Sequence, residues 1–280
     1  MISMLLDTPG RDQIITEPFP HLIIHQAIDE NLSRQLIKEF PAIHTIAKGV
    51  SFQSNERFSY TAIDALKDSD VSPVWKKFVL SHISQMFLDQ VVNLFADCIK
   101  KLYPHFEDKI YPANQLKAGI REKDTFFTSD VLLDAQICVN TPVINQPSSV
   151  RRGHVDLPDK LFAGLFYLRD ADDNSTGGDL EIYRYRNQRG GFKGQFIEDK
   201  YIELVKTIKY ESNVLVLFLN SVDSIHAVSE RSVTNFPRCF FNLVGEVNHQ
   251  LFNLDNYQEN RLKKFFEMSP QTMRKRRAKQ

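Results

Sequence analysis

The first hundred residues carry apolar side chains at helical spacing. One run shares a face at positions 32, 36, 37 and 40, behind Asp29, a residue suited to cap a helix, and Pro41 ends it. Ser72-Pro73 marks a second helix start, because a capping residue precedes a proline at the first helical position. The apolar positions that follow predict one long amphipathic helix to about Leu102: Phe78, Ile83, Phe87, Val91 and Phe95. Residues 43–71 are mixed and polar, so we expect loops there.

The pattern changes at about residue 116, where short apolar or alternating runs replace the helical spacing. Turn-forming clusters separate these runs, which fall at 131–143, 161–168, 179–185, 202–209, 213–219 and 238–247. Many short strands at this spacing predict a sandwich or barrel of antiparallel sheet. A further short strand is expected within Glu17–Ile24, and a closing helix at 255–267. We therefore expect one mainly β domain with some helix (α+β): a helical N-terminal layer over about 1–115, a β core over about 116–250, and a C-terminal helix with a basic tail over 251–280.

Composition narrows the possible partners. The 280 residues are 42% hydrophobic and 25% charged, and 35 basic residues balance 35 acidic ones, which leaves no electrostatic footprint for nucleic acid or an anionic membrane. No apolar run approaches the roughly 20 residues that span a bilayer, and the N-terminus lacks a basic signal-peptide region. The three widely spaced cysteines fit neither a CxxC site nor a disulfide framework. We expect a cytoplasmic protein with buried free thiols.

One set of residues is suited to binding a metal ion. His154 and Asp156 stand two positions apart, so their side chains point to the same side of an extended chain and can reach one metal ion. His226, just after the apolar strand 214–219, is the candidate for a third ligand. Two histidines and one carboxylate form the facial triad of non-haem Fe(II) oxygenases, which leaves positions open for a 2-oxo acid and dioxygen. The rival pair in His105-Phe106-Glu107 follows a predicted helix without flanking strands, so it is interpreted as a surface turn.

Further residues are candidates for binding a co-substrate or substrate. Arg238 opens a strand on which it shares a face with Phe240 and Asn242, and a guanidinium binds carboxylates bidentately. Gln136 and Asn140 share a face of the strand before the His-x-Asp pair, and Tyr167 lies on the strand after it, where each can donate hydrogen bonds or serve as a satisfied core group. Arg152 is a weaker candidate for an anionic substrate, since exposed loop arginines are common.

The ordered set resembles the 2-oxoglutarate/Fe(II) dioxygenase superfamily, in particular its prolyl-4-hydroxylase-like branch. Glu17-Pro-Phe-Pro-His-Leu-Ile-Ile before a capped helix resembles that branch's N-terminal opening, and Gly177-Gly178-Asp179-Leu180 resembles the segment after its His-x-Asp pair. The resemblance implies a double-stranded β-helix, or jelly roll, with Fe(II) held by the three predicted ligands. It also implies O2 and 2-oxoglutarate as co-substrates, with the C5 carboxylate on Arg238. The spacing from His226 to this arginine is longer than in many relatives, and Arg231 is the alternative.

The same resemblance favours some reactions and substrates over others. Asp156 argues against halogenation, because halogenases of this superfamily replace the carboxylate ligand, so hydroxylation of a small molecule is the expected reaction. Hydroxylation of a peptide is the alternative, and a non-catalytic jelly-roll binding module is an alternative of another class. Base-dealkylating relatives carry a second arginine after the first, where this chain has Asn242, Leu243 and Val244. Nucleic acid is therefore not the expected substrate, and the oligomeric state is left open.

Overall fold

The computed structural model describes residues 4–7, 9–104, 106 and 115–258. Within these residues six α-helices and twelve β-strands form. The helices are α1 (Glu30–Lys38), α2 (Ile43–Ile46), α3 (Ala62–Lys67), α4 (Pro73–His82), α5 (Gln85–Leu94) and α6 (Ala96–Leu102). The strands are β1 (His21–His25), β2 (Arg57–Tyr60), β3 (Ala118–Ile120), β4 (Val131–Asn140), β5 (Lys160–Tyr167), β6 (Leu180–Tyr185), β7 (Phe192–Lys193), β8 (Phe196–Ile197), β9 (Ile202–Ile208), β10 (Val214–Leu219), β11 (His226–Val228) and β12 (Arg238–Glu246).

The predicted helix behind Asp29 is confirmed, but the predicted long helix is wrong. The Asp29 carboxylate accepts from the Asn31 and Leu32 amides at 2.9 and 3.2 Å and caps α1. Residues 73–102 form α4, α5 and α6 instead of one helix. The chain leaves the helical path at Ser84, whose hydroxyl accepts from the Phe87 amide and starts α5. The apolar spacing continues across this break, and for that reason the sequence pattern concealed it.

The β core contains two facing sheets. The larger sheet has the order β1-β10-β5-β12-β4-β2, and all of these neighbours are antiparallel. Strand β3 lies off this path and pairs directly with β4 in parallel. The smaller has the order β11-β6-β9, and β7 and β8 form a separate hairpin. Each predicted strand run of the core overlaps one of these strands to within one or a few residues at either end. The jelly-roll prediction is confirmed, with helices packed behind the larger sheet.

Strand β12 shows how one strand serves two environments. Its odd-numbered residues Phe241 and Leu243 are fully buried in the apolar cluster that joins the larger sheet to the helices, where Trp75 and Phe78 contact the Phe241 ring. The even-numbered residues Arg238, Phe240 and Asn242 face the space between the two sheets. The helical layer therefore covers one face of the larger sheet, and the other face is left for a site.

Two expectations at the ends of elements need correction. Residues 43–71 are less loop-rich than expected, because α2, β2 and α3 all form there. Of the closing helix predicted at 255–267, the structure describes only a short 3-10 turn at Leu254–Tyr257, and the rest lies outside the described residues. His105, Glu107 and the basic tail also lie outside them. None of the described helices combines the length and apolar character needed to cross a bilayer.

Candidate metal centre

Main-chain hydrogen bonds place the two predicted histidine ligands side by side. The His154 amide donates to the His226 carbonyl at 3.0 Å, and the His226 amide donates back to the His154 carbonyl at 2.9 Å. The imidazole ring centroids lie 4.2 Å apart. A short antiparallel bridge thus joins the loop before β5 to the start of β11 and brings together two residues far apart in sequence.

Both imidazoles present the same nitrogen to the site. Each Nδ1 lies within hydrogen-bonding distance of a carbonyl two residues earlier, His154 to Arg152 at 2.8 Å and His226 to Ser224 at 2.9 Å. Donation from Nδ1–H to these carbonyls leaves Nε2 as a free ligand atom in each ring. Burial lowers the pKa of both histidines, and this favours the neutral form that binds metals.

Asp156 completes a group that can hold a metal ion. Ligand atoms of His154, Asp156 and His226 all lie within 4.8 Å of one another, and no other such group occurs in the described part of the chain. The Lys160 ammonium lies 3.4 Å from the Asp156 carboxylate. Burial raises the pKa of Asp156, but Lys160, both histidines and Arg151 together hold it below its ordinary value. Two neutral imidazoles and one carboxylate form a donor set suited to Fe(II), with coordination positions left open.

The group lies in a pocket between the two sheets. Apolar walls come from Leu165 and Phe218 on the larger sheet and from Leu180 on the smaller one, and the Phe218 ring centroid lies 4.9 Å from that of His226. The pocket contains about 720 Å³ of empty space, part of which is open to solvent.

Arg238 lies in the same pocket and is fixed on several sides. Its side chain is only 2% exposed, and its Nε donates to the Gly178 carbonyl at 2.7 Å. The guanidinium carbon lies 5.0 Å from the ring centroids of Tyr167 and Tyr210 and 4.9 Å from that of Phe240. These rings hold the plane of the guanidinium in place and favour its charge. The side chain nevertheless lines the pocket.

Three buried donors around this guanidinium make no well-formed hydrogen bond with any described residue. They are Arg238 Nη2, Asn140 Nδ2 and the Tyr167 hydroxyl. Arg238 Nη1 contacts the Asn140 amide oxygen at 3.5 Å, so the first two belong to one cluster. Burial raises the pKa of Tyr167, which therefore keeps its proton for donation. Unpaired buried donors are costly, so a ligand that accepts hydrogen bonds from them would be favoured at this position.

The two glycines singled out in the sequence shape the support for Arg238. Both adopt left-handed backbone conformations, with φ of +77° at Gly177 and +72° at Gly178. A Cβ at Gly177 would lie 1.7 Å from the Glu230 carbonyl oxygen, so no side chain fits there. The turn directs the Gly178 carbonyl at Arg238, and the Asp179 carboxylate is held by Lys209 Nζ and the Tyr210 amide, each at 2.9 Å.

Four of the predicted candidates lie outside the pocket lining: Tyr167, which lies against the Arg238 guanidinium, and three others. Arg231 is fully buried, but its guanidinium pairs with Asp173 at 2.8 Å and with the Ser175 hydroxyl at 3.0 Å. Gln136 is buried on β4, where its side chain bonds to Asp134 and Asn242. The Arg152 side chain is exposed on the outer surface of its loop, and only its carbonyl serves the site, through His154.

Three basic residues that the sequence did not single out line the pocket: Arg57, Arg151 and Lys160. Arg57 comes from the segment expected to be loop, so no alternation pointed to its face. Arg151 and Arg152 are neighbours in an irregular loop, where the strand rule gives no parity. Lys160 stands four residues after Asp156, just before the predicted strand 161–168, and this proximity was the one available signal.

No family model matches this sequence, and no curated protein matches it. Solved structures share its fold at low identity. A prolyl-4-hydroxylase of Pseudomonas putida is 13% identical, with 88% of this chain and 100% of that chain covered and a TM-score of 0.47. The 2-oxoglutarate-dependent epimerase SnoN from nogalamycin biosynthesis is 10% identical, with 81% and 76% covered and a TM-score of 0.48. A Trichoplax adhaerens prolyl hydroxylase bound to a hypoxia inducible factor peptide is 13% identical, with 81% and 83% covered and a TM-score of 0.42. The likeness to each is one of fold alone.

Proposed function

We propose that the protein is an Fe(II)- and 2-oxoglutarate-dependent dioxygenase that hydroxylates an unactivated C–H bond of a small molecule. The reaction consumes the substrate, O2 and 2-oxoglutarate and yields the alcohol, CO2 and succinate. The observation that carries the proposal is the pairing of the His-Asp-His group with a buried, unsatisfied cationic cradle in one pocket. A metal site of hydrolytic type needs no such second cradle.

The residues around the pocket have separate roles in binding the metal, the co-substrate and the substrate. His154, Asp156 and His226 hold the metal, and Fe(II), when bound, supplies dioxygen activation and open positions for a 2-oxo acid. Arg238 binds the far carboxylate of 2-oxoglutarate, with Asn140 and Tyr167 donating to it. Phe218 and the aliphatic wall exclude water from the reacting carbon. The position of the pocket between the two sheets, with only part of its space open to solvent, favours a small molecule over a peptide segment.

Metal and turnover measurements on the ligand variants test the proposal. His154→Ala, Asp156→Ala and His226→Ala are each expected to lower Fe(II)-dependent succinate release at least about a hundredfold and to weaken Mn(II) binding measured by calorimetry. His25→Ala, a change at an exposed histidine, is the matched control and should retain both properties. Circular dichroism establishes that each variant is folded. Wild-type protein that releases no succinate with Fe(II), O2 and 2-oxoglutarate would overturn the proposal in favour of a non-catalytic binding module.

A further inference from the structure

Basic side chains outnumber acidic ones in the pocket. Among its lining residues in the described part of the chain, Arg57, Arg151, Lys160 and Arg238 are cationic, and Asp156 is the single carboxylate. Lys160 lies beside Asp156. Under the proposed function, on which this inference rests, Arg238 binds 2-oxoglutarate. A divalent metal and a 2-oxoglutarate dianion cancel in charge, so binding both leaves the excess positive charge unchanged.

Arg57 belongs to a row of polar side chains that crosses three strands. In the register of the larger sheet Asn140 pairs with Arg57 on one side and with Arg238 on the other. Directly opposed residues point to the same face, so all three project toward the pocket. The Arg57 guanidinium carbon lies 5.0 Å from the Phe240 ring centroid. The Arg57 guanidinium lies 3.9 Å from the Cys138 sulfur, and no carboxylate of the described residues pairs with it.

Arg151 approaches from the loop that carries the first histidine ligand. Its carbonyl accepts from the Val228 amide at 2.9 Å, which fixes its backbone beside β11 and His226. The side chain is half-buried and has no hydrogen-bond or ion-pair partner among the described residues. Burial lowers the pKa of Arg151 and the charge of Arg57 lowers it further, although Asp156 opposes the shift. Two guanidiniums that are partly desolvated and repel each other are stabilised when an anion arrives.

We infer that the prime substrate carries an anionic group, a carboxylate or a phosphate or sulfate ester, and that Arg57 and Arg151 bind this group beside the metal centre. The two arginines come from different elements, β2 and the loop before β5, so they contact the anion from two sides. A guanidinium pair suits any of these oxyanions, since each offers two or more oxygens. The bound group then holds the rest of the substrate in the apolar part of the pocket near Phe218.

Anion binding to the loaded protein tests this inference directly. Protein saturated with Zn(II) and 2-oxoglutarate, in which Arg238 is occupied, is titrated with sodium sulfate and separately with sodium acetate at constant ionic strength. We expect one saturable site for at least one of these anions by calorimetry. Arg57→Gln and Arg151→Gln should each weaken it about tenfold or more, a loss typical of a charged partner removed from a partly buried pair. Arg152→Gln, which changes the exposed neighbour, is the matched control and should leave the affinity within about twofold. Absence of a saturable site for both anions, or equal affinity in all variants, would overturn the inference.

A second measurement separates the possible anions and keeps the two proposals distinct. Succinate release by the Fe(II) enzyme is compared for carboxylic acids against their amides and for sugar phosphates against the free sugars. We expect stimulation by anionic members and not by their neutral partners, and loss of that stimulation in Arg57→Gln but not in the Arg152→Gln control. Equal stimulation by neutral partners would contradict the anionic-substrate inference alone. Absence of substrate-free succinate release in the wild type would contradict the proposed dioxygenase function itself.

Discussion

At the scale of single residues, two buried arginines on neighbouring segments have different surroundings. Arg231 is neutralised by Asp173 and fixed by Ser175, whereas Arg238 contacts aromatic rings and neutral carbonyl or amide oxygens. A buried guanidinium without a carboxylate partner is costly unless a ligand supplies the charge. This contrast supports the proposal that Arg238, and not Arg231, binds the 2-oxoglutarate carboxylate.

Substituting each arginine tests the assignment. Arg238→Ala is expected to raise the Michaelis constant for 2-oxoglutarate more than tenfold, because losing a buried charge-assisted contact typically costs about 2–5 kcal/mol. Arg231→Ala is the comparison: it should lower the free energy of unfolding by leaving Asp173 buried without its partner, with a smaller effect on that constant. Steady-state kinetics and urea denaturation measure the two effects. The reverse outcome would exchange the roles of the two residues.

His82 gives the helical layer a pH-dependent stability. It is fully buried, its Nδ1 lies 2.7 Å from the Phe78 carbonyl, and its Nε2 accepts from the Leu5 amide at 3.1 Å. Burial lowers the pKa of His82 to about 4, against the opposing effects of the Phe78 carbonyl and Asp7. The folded state therefore requires the neutral imidazole, while the unfolded chain binds a proton at the ordinary histidine pKa of about 6.5.

The consequence is a loss of stability on acidification. Between about pH 6.5 and pH 4 the unfolded chain holds more protons at this position, so the free energy of unfolding should fall by up to about 1.4 kcal/mol per pH unit. Above this window the contribution is constant. His82→Gln should be less stable at pH 8 but should show a shallower decline between pH 6.5 and 4. Parallel pH profiles of wild type and variant in urea denaturation would contradict this role.

At the scale of elements, the Gly177-Gly178 turn supplies the carbonyl that holds Arg238. Gly177→Ala and Gly49→Ala form a matched pair, because both glycines have φ near +75° but only Gly177 has a neighbour in the way. Gly49→Ala should cost about 1–2 kcal/mol from the left-handed conformation alone. Gly177→Ala should cost about 1–3 kcal/mol more, since its Cβ meets the Glu230 backbone. Urea midpoints measure both, and equal losses would show that the close approach is relieved without cost.

Elements could be predicted from the sequence where the pattern of apolar residues is long and ends at turn-forming residues. They could not be predicted where the pattern is short or continues across a break. Strands β4, β5, β10 and β12 are long and apolar, and their runs stand out between turn-forming clusters. The break between α4 and α5 was hidden because Ile83 and Phe87 keep helical spacing across Ser84. Strand β2 has only four residues, too few for a recognisable period, so the position of Arg57 could not be read.

The candidate metal ligands could be predicted from the sequence, whereas Arg151 could not, because the periodicity of extended backbone applies to the ligands but not to an irregular loop. His154 and Asp156 lie in an extended segment where positions two apart share a side, and the structure brings both to His226. Arg151 and Arg152 lie in a loop without such a rule, and the structure turns the first toward the pocket and the second to solvent. Local periodicity identifies residues on regular backbone, and only the folded chain identifies the rest.

At the scale of the whole molecule, a bound metal would tie the loop before β5 to β11 and so favour the folded state. Binding to the folded chain alone stabilises it by about 2.7 kcal/mol at a ligand concentration a hundred times the dissociation constant. We expect Zn(II) with 2-oxoglutarate to raise the unfolding temperature by roughly 5 to 10 °C. Calorimetry should show this rise in the wild type, its reversal by a chelator, and its absence in His226→Ala. The same rise in that variant would place the stabilising metal elsewhere.

The two-sided use of β12 restricts how the chain can change in length. One inserted or deleted residue within this strand would exchange its faces, moving the Arg238 position toward the apolar helices and Phe241 toward the pocket. The same holds for β4, which carries Asn140 in the middle of the polar row. We therefore expect length changes to be tolerated in exposed turns such as 187–189 and not in the strands. Over evolutionary time, descendants of this chain can acquire new loops around the pocket while the spacing of the residues beneath it stays fixed.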